Sequence, residues 1–286
     1  MEYIVPKEMS LIEALRQIFP DSSRRTLQNW LKNGRFRLDG KKVEREDIPL
    51  QAGQTLAVKD TFQAPKVPGL NILYEDRFFI VIDKPVGLLS VPLDESQNKK
   101  HALGLLREHL GTDQIYAVHR IDRETSGILL FARGKDSEEK FDKLFEQHDI
   151  VREYYAIVEG RVKEEKGVWQ SKLLELPSLH VVVSDMGKDA ITHYAVIRRS
   201  AKYTYLKLRL ETGRKHQIRV HCQMAGHPVV GDVRYGSVQS PLKRLCLHAC
   251  TLGFEHPFTH KPVEFISPLP ESFKVLGGGG SKRDFF

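Results

Sequence analysis

Apolar residues repeat at helical spacing in two stretches near the start of the chain: Leu11, Leu15 and Ile18, then Leu27, Trp30 and Leu31. Ser10 and Glu13 form a capping-box pattern, which is typical of the first residues of a helix. Gly34 follows the second stretch and is a typical residue after a helix end. The pattern therefore predicts two helices separated by a break around residues 20–23.

A turn at Asp39-Gly40 between residues 36–38 and 41–43 predicts a hairpin, and residues 55–58 predict a strand that closes the same unit. Residues 1–60 are therefore expected to form a small α+β domain. The segment 61–69 contains two prolines and a glycine and is interpreted as a linker. The glycine-rich residues 277–286 are interpreted as a flexible tail.

Between these segments, residues 70–276 mix helices with more numerous strands. Helices are predicted over 99–110 and after Asp136, which we interpret as a capping residue. The predicted strands cover 72–74, 79–82, 155–158, 181–183, 192–197 and 205–210. Because strands do not alternate regularly with helices, we expect an α+β domain with a mainly antiparallel mixed sheet.

Composition narrows the class of protein. The 286 residues carry a net charge of +7, which favours a polyanionic partner. Three cysteines do not make a disulfide framework and fit a reducing, cytoplasmic setting. Neither a secretory leader nor an apolar run long enough for a transmembrane helix is evident, so no membrane role is expected.

The segment 117–130 carries the clearest chemical signal. It places Asp122, close to Arg120 and Arg123, in a loop between two apolar runs that are interpreted as strands. Nearby cations favour the charged form of a carboxyl group, which can then act as a nucleophile or a base. A surface loop with an ordinary ion pair would give the same local pattern.

Four segments in order resemble the RluA-type pseudouridine synthases. They are Asp83-Lys84-Pro85-Val86-Gly87-Leu88, His119-Arg120-Ile121-Asp122 with Thr125-Ser126-Gly127, Arg152-Glu153-Tyr154-Tyr155-Ala156, and Thr212-Gly213-Arg214 with His216-Gln217-Ile218-Arg219-Val220-His221. The family pattern has Leu at position 121 and Lys at position 152. The resemblance covers about residues 70–270, and four ordered motifs are far more specific than one.

The resemblance implies roles for four residues. Asp122 is the essential aspartate, as nucleophile or as base for the C2′ proton, and Arg219 pairs with it through a bidentate guanidinium. Tyr154 stacks on the detached uracil, whereas Tyr155 faces the other way. Arg120 replaces the flipped nucleotide in the RNA stack. No catalytic role is assigned to His119, and Asp83-Lys84-Pro85 shapes the floor of the site or its loop.

A basic surface is predicted in the N-terminal unit, because residues 16–45 carry a net charge of +6. Helix, helix and hairpin with basic residues around the second helix look like an S4 RNA-binding domain, which commonly precedes this catalytic domain. We expect RNA contacts, as opposed to a merely solvated face, from six of these residues: Arg24, Arg25, Lys32, Arg35, Arg37 and Lys41. Arg214 and Lys215, with His216, are expected to contact phosphate or to shape their loop.

No metal and no cofactor is expected. Cys246, His248 and Cys250 fall on one strand face, but a structural zinc site needs a further paired spacing that Cys222 does not supply. We interpret these thiols as buried and unliganded. No nucleotide-binding glycine motif is present.

The resemblance thus implies an isomerase that converts uridines in structured RNA. Ribosomal RNA of the large subunit is favoured as partner and transfer RNA stays open, and we expect a monomer. Two other readings compete with this one. A catalytically silent RNA-binding protein of the same fold would not need Asp122, Tyr154 and Arg219 together, and a carboxylate-dependent hydrolase would need a second acid or a metal cluster.

Overall fold

The computed structural model describes residues 2–19, 24–32, 34, 36–58, 69–92 and 100–276. The chain divides into two units, Met1–Val81 and Ile82–Phe286. The domain limits predicted above, 1–60, 61–69 and 70–276, stay predictions. The tail 277–286 and all of the predicted linker except Gly69 lie outside the described residues.

The described residues of the first unit form two helices and short strands: β1 Glu2–Ile4, β2 Met9–Ser10, α1 Leu11–Ile18, α2 Arg24–Lys32, β3 Phe36–Leu38, β4 Lys41–Lys42, β5 Pro49–Leu50, β6 Thr55–Val58, β7 Asn71–Glu75 and the start of β8 Phe79–Lys84. Strands β1, β6, β3 and β4 form one antiparallel sheet, and β2 pairs with β5.

The apolar faces of both helices form the core of this unit. Leu11, Leu15 and Leu27 are fully buried, and Trp30 meets Phe19 edge to face with ring centroids 5.1 Å apart. The predicted capping box is present, because the Ser10 backbone N–H donates to Glu13 at 2.8 Å and the Ser10 hydroxyl accepts from the Glu13 N–H. The predicted break at 20–23 lies outside the described residues.

The second unit is built on a large sheet. Its elements are α3 Ala102–Leu110, β9 Ile115–Ala117, β10 Ser126–Arg133, α4 Lys135–Glu146, β11 Val151–Glu159, β12 Lys166–Glu175, β13 Val181–Val183, β14 Lys188–Arg199, β15 Tyr203–Leu210, α5 Gln217–Met224, a 3₁₀ turn Val233–Tyr235, β16 Leu247–Glu255, β17 Pro262–Ile266 and α6 Glu271–Val275.

The strand order of this sheet is β13-β12-β14-β15-β11-β16-β10, with β17 on β16 and β9 on β10. Seven of these pairings are antiparallel, and β10 with β16 is parallel. Gly127 lies at that parallel pair with φ +109°, and a Cβ there would come within 2.1 Å of the Ala249 carbonyl oxygen. The α+β prediction with a mainly antiparallel sheet is confirmed.

Two helix starts differ from prediction. Helix α3 begins at Ala102 rather than 99, because the His101 ring caps it by accepting from the Gly104 N–H at 3.0 Å. Helix α4 begins at Lys135 with Gly134 as its N-cap, so Asp136 lies within the first turn, where its charge favours the helix dipole, and is not the capping residue. No helix in the described part of the chain is long and apolar enough to span a membrane.

Candidate active site

Asp122 lies in the loop that joins β9 to β10, as the hydrophobic pattern predicted. The loop is fixed by its own backbone and by one serine. The Thr125 N–H donates to the Asp122 carbonyl at 3.1 Å, and the Ser90 hydroxyl donates to the Ile121 carbonyl at 2.7 Å. The Asp122 side chain keeps 24 % of its surface exposed, so the loop presents a carboxylate that substrate can still reach.

A buried lysine of the Asp83-Lys84-Pro85 motif hydrogen-bonds to the backbone of the loop that carries Asp122. The Lys84 ammonium is fully buried and donates to the carbonyls of Leu88 at 2.7 Å, Pro85 at 3.1 Å and Arg123 at 3.2 Å. Burial lowers the pKa of Lys84 to about 8, although Asp122 opposes that shift. The motif Asp83-Lys84-Pro85 therefore acts on the site by holding the backbone next to Asp122.

Arg219 lies near the start of α5 and binds two carboxylates. Its Nη1 donates to Asp122 Oδ2 at 2.9 Å, so the predicted pairing is present. The prediction of a bidentate contact with Asp122 is wrong, because the planar fork donates instead to Asp232, from Nε at 2.7 Å and Nη2 at 2.8 Å. Asp232 is 2 % exposed and raises the pKa of Arg219, although burial opposes it.

Sequence reasoning missed Asp232, although its location is tightly specified. The Tyr235 and Ser237 N–H groups both donate to its carbonyl at 3.0 Å. The preceding Gly231 has φ +83°, and a Cβ there would lie 2.0 Å from the Arg244 carbonyl oxygen, so only glycine allows this approach. The adjacent Gly231 and Asp232 were the only sequence feature that could have indicated this residue, but a glycine followed by an aspartate is common in surface turns.

His216 forms the remaining side of the carboxylate environment. Its Nε2 lies 3.7 Å from Asp122 Oδ2, and its Nδ1 hydrogen-bonds with the Tyr235 hydroxyl at 2.7 Å. Burial lowers the pKa of His216 to about 4, although Asp122 opposes this, so the imidazole is neutral at neutral pH. His216 therefore shapes the site beside Asp122 and does not compete with Arg219 as a cation there.

Tyr154 lies on β11 and lines the small cavity that contains Asp122 and Arg219. The cavity has a volume of about 70 Å³. Burial raises the pKa of Tyr154 to about 12, so its ring stays neutral. Arg120 is exposed and lines the same cavity, whereas Tyr155 does not line it. Four predicted residues, Asp122, Tyr154, Arg219 and Arg120, are thus brought to one place.

A second cavity of about 550 Å³ adjoins the first and shares Arg120, Tyr154, Leu210 and Arg214 with it. His119 forms part of its wall. The His119 ring stacks on Phe145 at 4.8 Å and accepts from the Leu130 N–H at 3.0 Å. Through these contacts His119 holds the loop that carries Asp122 against α4 and β10.

Arg214 and Lys215 differ in their surroundings. Arg214 is exposed, lines both cavities and donates from Nε to the Asp189 carbonyl at 2.9 Å. Lys215 pairs with Glu175, so part of its charge is already neutralised. Arg214 is therefore the more available of the two for a phosphate.

The basic residues of the N-terminal unit are only partly described. Arg24 donates to the Glu46 carboxylate from Nη2 at 2.6 Å and from Nε at 3.2 Å. Arg37 donates to the Gly40 carbonyl at 2.8 Å, and Lys41 is exposed on the hairpin. Arg35 and the side chains of Arg25 and Lys32 lie outside the described residues. The RNA contacts expected of these six residues stay predictions.

The three cysteines are free and buried. Burial raises the pKa of Cys246 to about 12 and that of Cys250 to about 11, so both remain thiols. Among the described residues, no group of three or more His, Cys, Asp or Glu side chains is placed to hold a metal ion.

Comparison with known proteins places this geometry in a family. A family described as RNA pseudouridylate synthase matches residues 78–224, which include Asp122, Tyr154 and Arg219. The chain belongs to that family. Its members convert uridine in RNA to pseudouridine, so the chain is an isomerase, and the family resemblance inferred from the four motifs is confirmed.

Three relatives illustrate the similarity. The chain is 35 % identical to the ribosomal large subunit pseudouridine synthase D of Xanthomonas campestris pv. campestris, over 92 % of this chain and 86 % of that protein. The corresponding protein of Pasteurella multocida is 32 % identical, with 93 % and 89 % covered. The structure of human RNA pseudouridylate synthase domain containing 1 matches with a TM-score of 0.59 and 25 % identity, covering 72 % of this synthase and 86 % of that chain.

Proposed function

We propose that this synthase isomerises uridines in large-subunit ribosomal RNA and that Asp122 is its catalytic carboxylate. The RNA target is supported by the names of the relatives from Xanthomonas campestris and Pasteurella multocida. The observation that carries the role of Asp122 is the chain of contacts Asp232–Arg219–Asp122, which ends in the small cavity beside Tyr154.

The reaction moves the glycosidic bond from N1 of uracil to C5 without oxidation or reduction. Arg219 donates a charged hydrogen bond to one oxygen of the Asp122 carboxylate and so fixes its direction. An ionised carboxylate can attack C1′ of the ribose or take the proton from C2′, and both routes use the same side chain. Asp122 therefore starts the reaction in either case.

The other residues bind and orient the substrate. A neutral Tyr154 ring offers a stacking surface for the free uracil, and base–aromatic stacking contributes about 1–3 kcal/mol. Exposed Arg120 fills the space that the extruded nucleotide leaves in the RNA. The same proposal includes a monomeric protein in the cytoplasm, a compartment that its buried free thiols fit. It includes no cofactor, because the reaction is redox-neutral.

The test is tritium release from 5-tritiated uridine in ribosomal RNA, compared between the wild type, Asp122→Asn and Asp113→Asn. Asp113 is an exposed aspartate ahead of β9 and serves as the matched control. We expect release from the wild type and Asp113→Asn and none from Asp122→Asn. Release that survives in Asp122→Asn contradicts the catalytic role, and release from transfer RNA alone contradicts the ribosomal target.

A further inference from the structure

Arg152 at the start of β11 is a buried cation without a carboxylate partner. The residue is 8 % exposed, and among the described residues no acidic side chain pairs with it. Its Nη2 donates to the Glu211 carbonyl at 3.1 Å, but its Nε is buried without any hydrogen-bond partner in the described structure. A buried charge is costly unless it is paired, so a site of this kind favours an anionic ligand.

The guanidinium of Arg152 is held at the wall of the larger cavity. Its carbon lies 5.7 Å from the centre of the Phe145 ring, and its Nη1 lies 2.4 Å from where a Cβ of residue 213 would be. Phe145, Arg152 and Gly213 all line that cavity. Because residue 213 is a glycine, no side chain occupies the space that the Arg152 guanidinium fills.

A second cation faces the same space. Arg214 is exposed, lines the cavity and repels Arg152, which together with burial lowers the pKa of Arg152. The acidic side chains in the lining, Asp142 and Glu146, are exposed residues of α4. An anion held between Arg152 and Arg214 would offset both the burial of one charge and the repulsion between the two.

We propose that Arg152 and Arg214 form a subsite for one backbone phosphate of the RNA, next to the nucleotide whose base enters the Asp122 cavity. This inference rests on the function proposed above. The two cavities share Arg120, Tyr154, Leu210 and Arg214, so a strand that delivers its base to one passes the other. A guanidinium suits a phosphate because its planar fork matches two oxygens.

The test is a cycle that combines protein and RNA changes. The substrate is a stem-loop that the wild type converts, as shown by tritium release. It is made as a series of RNAs, each with one phosphate near the target uridine replaced by a neutral methylphosphonate. We expect one replacement to weaken binding to the wild type by at least about tenfold, as befits loss of a charged hydrogen bond. Arg152→Gln should bind the unmodified RNA that much more weakly and be insensitive to that same replacement.

Arg214→Gln repeats the cycle without emptying a buried position, so a folding defect of Arg152→Gln cannot hide the result. Arg209→Gln removes one exposed arginine from β15 and is the matched control, which should keep the full methylphosphonate effect. Undiminished sensitivity at every phosphate in both Arg152→Gln and Arg214→Gln overturns the subsite. The subsite is also overturned if the loss of affinity depends on Arg152 when a neighbouring base of the RNA is removed but not when a phosphate is neutralised.

Failure of the two proposals can be told apart. If the wild type releases no tritium from any ribosomal RNA, the proposed function fails before the cycle begins. If release is normal but the cycle shows no coupling between Arg152 and a phosphate, only the subsite fails.

Discussion

Cations serve different purposes in the two units of the chain. In the N-terminal unit, three arginines are exposed and have local partners. Arg24 and Arg45 pair with acidic side chains, and Arg37 donates to a backbone carbonyl. In the catalytic unit, Lys84 and Arg219 are buried and bind groups brought together from distant segments. Exposed charges of the first kind contribute little to stability. The buried charges of the second kind hold the loops of the active site in position.

The largest effect is expected from Arg219→Met. The change leaves Asp232 buried and unpaired and removes the contact that directs Asp122, so we expect a loss of about 3–5 kcal/mol in unfolding free energy and no detectable tritium release. The matched control is Arg24→Met, which breaks an equally well-formed but exposed pair with Glu46 and should leave the unfolding midpoint unchanged. Urea unfolding measures both variants, and similar losses in the two would refute the distinction between the units.

Histidine distribution separates the units again, because all twelve histidines lie between residues 101 and 260. Burial lowers the pKa of His119 to about 3 and those of His216, His221 and His248 to about 4. The folded state therefore binds fewer protons than the unfolded state between about pH 4 and 6.5, and stability falls as pH falls through that window. Between about pH 6.5 and 5 the catalytic unit should lose stability while the N-terminal unit, which has no histidine, should not.

We expect the catalytic unit to lose stability between pH 6.5 and 5, since each of these four histidines contributes at most about 1.4 kcal/mol per pH unit. Trp30 and Trp169 are the two tryptophans of the chain, one in each unit, so Trp169→Phe and Trp30→Phe give separate fluorescence reports. His221→Gln should reduce the pH slope and the exposed His260→Gln should not. Parallel shifts of both tryptophan signals with pH would contradict the prediction.

Some elements of the fold could be predicted from the sequence alone and others could not. Local periodicity was enough for α1, the Asp39-Gly40 hairpin and the strand–loop–strand that carries Asp122. Strand β12 was missed because its less exposed face carries Gly167 and Ser171 while the apolar Val168 lies on the exposed face, so no apolar alternation is visible. Patterns near in sequence are readable when one face is plainly apolar.

The site was predictable only as far as its motifs reached. The resemblance identified Asp122 and Arg219, which lie 97 residues apart. It did not give the fork from Arg219 to Asp232 or the three carbonyls around Lys84, since backbone carbonyls carry no residue identity and an aspartate after a glycine is common. Those contacts depend on how loops meet, which no local pattern encodes.

Asp232→Asn sharpens the comparison within the catalytic unit, because it keeps the shape of the side chain that orients Arg219 but removes its charge. We expect kcat to fall about 10–100-fold, equivalent to about 1.4–2.7 kcal/mol, with KM for RNA nearly unchanged. Asp185→Asn, on an exposed turn, should change neither constant. A rise in KM at constant kcat would show that Asp232 serves RNA binding and does not position Arg219.

The smallest effect concerns which exposed cations of the N-terminal unit bind RNA. Lys41 has no acidic partner among the described residues, whereas the Arg24 guanidinium already donates two hydrogen bonds to Glu46. Lys41→Gln should therefore reduce the slope of log K against log salt by about 0.7–0.9, and Arg24→Gln should leave it nearly unchanged. Fluorescence anisotropy with a ribosomal RNA fragment across a salt series measures both slopes. An equal reduction in the two would mean that RNA takes Arg24 from Glu46, and that the exposed ion pairs of this unit are themselves part of its binding surface.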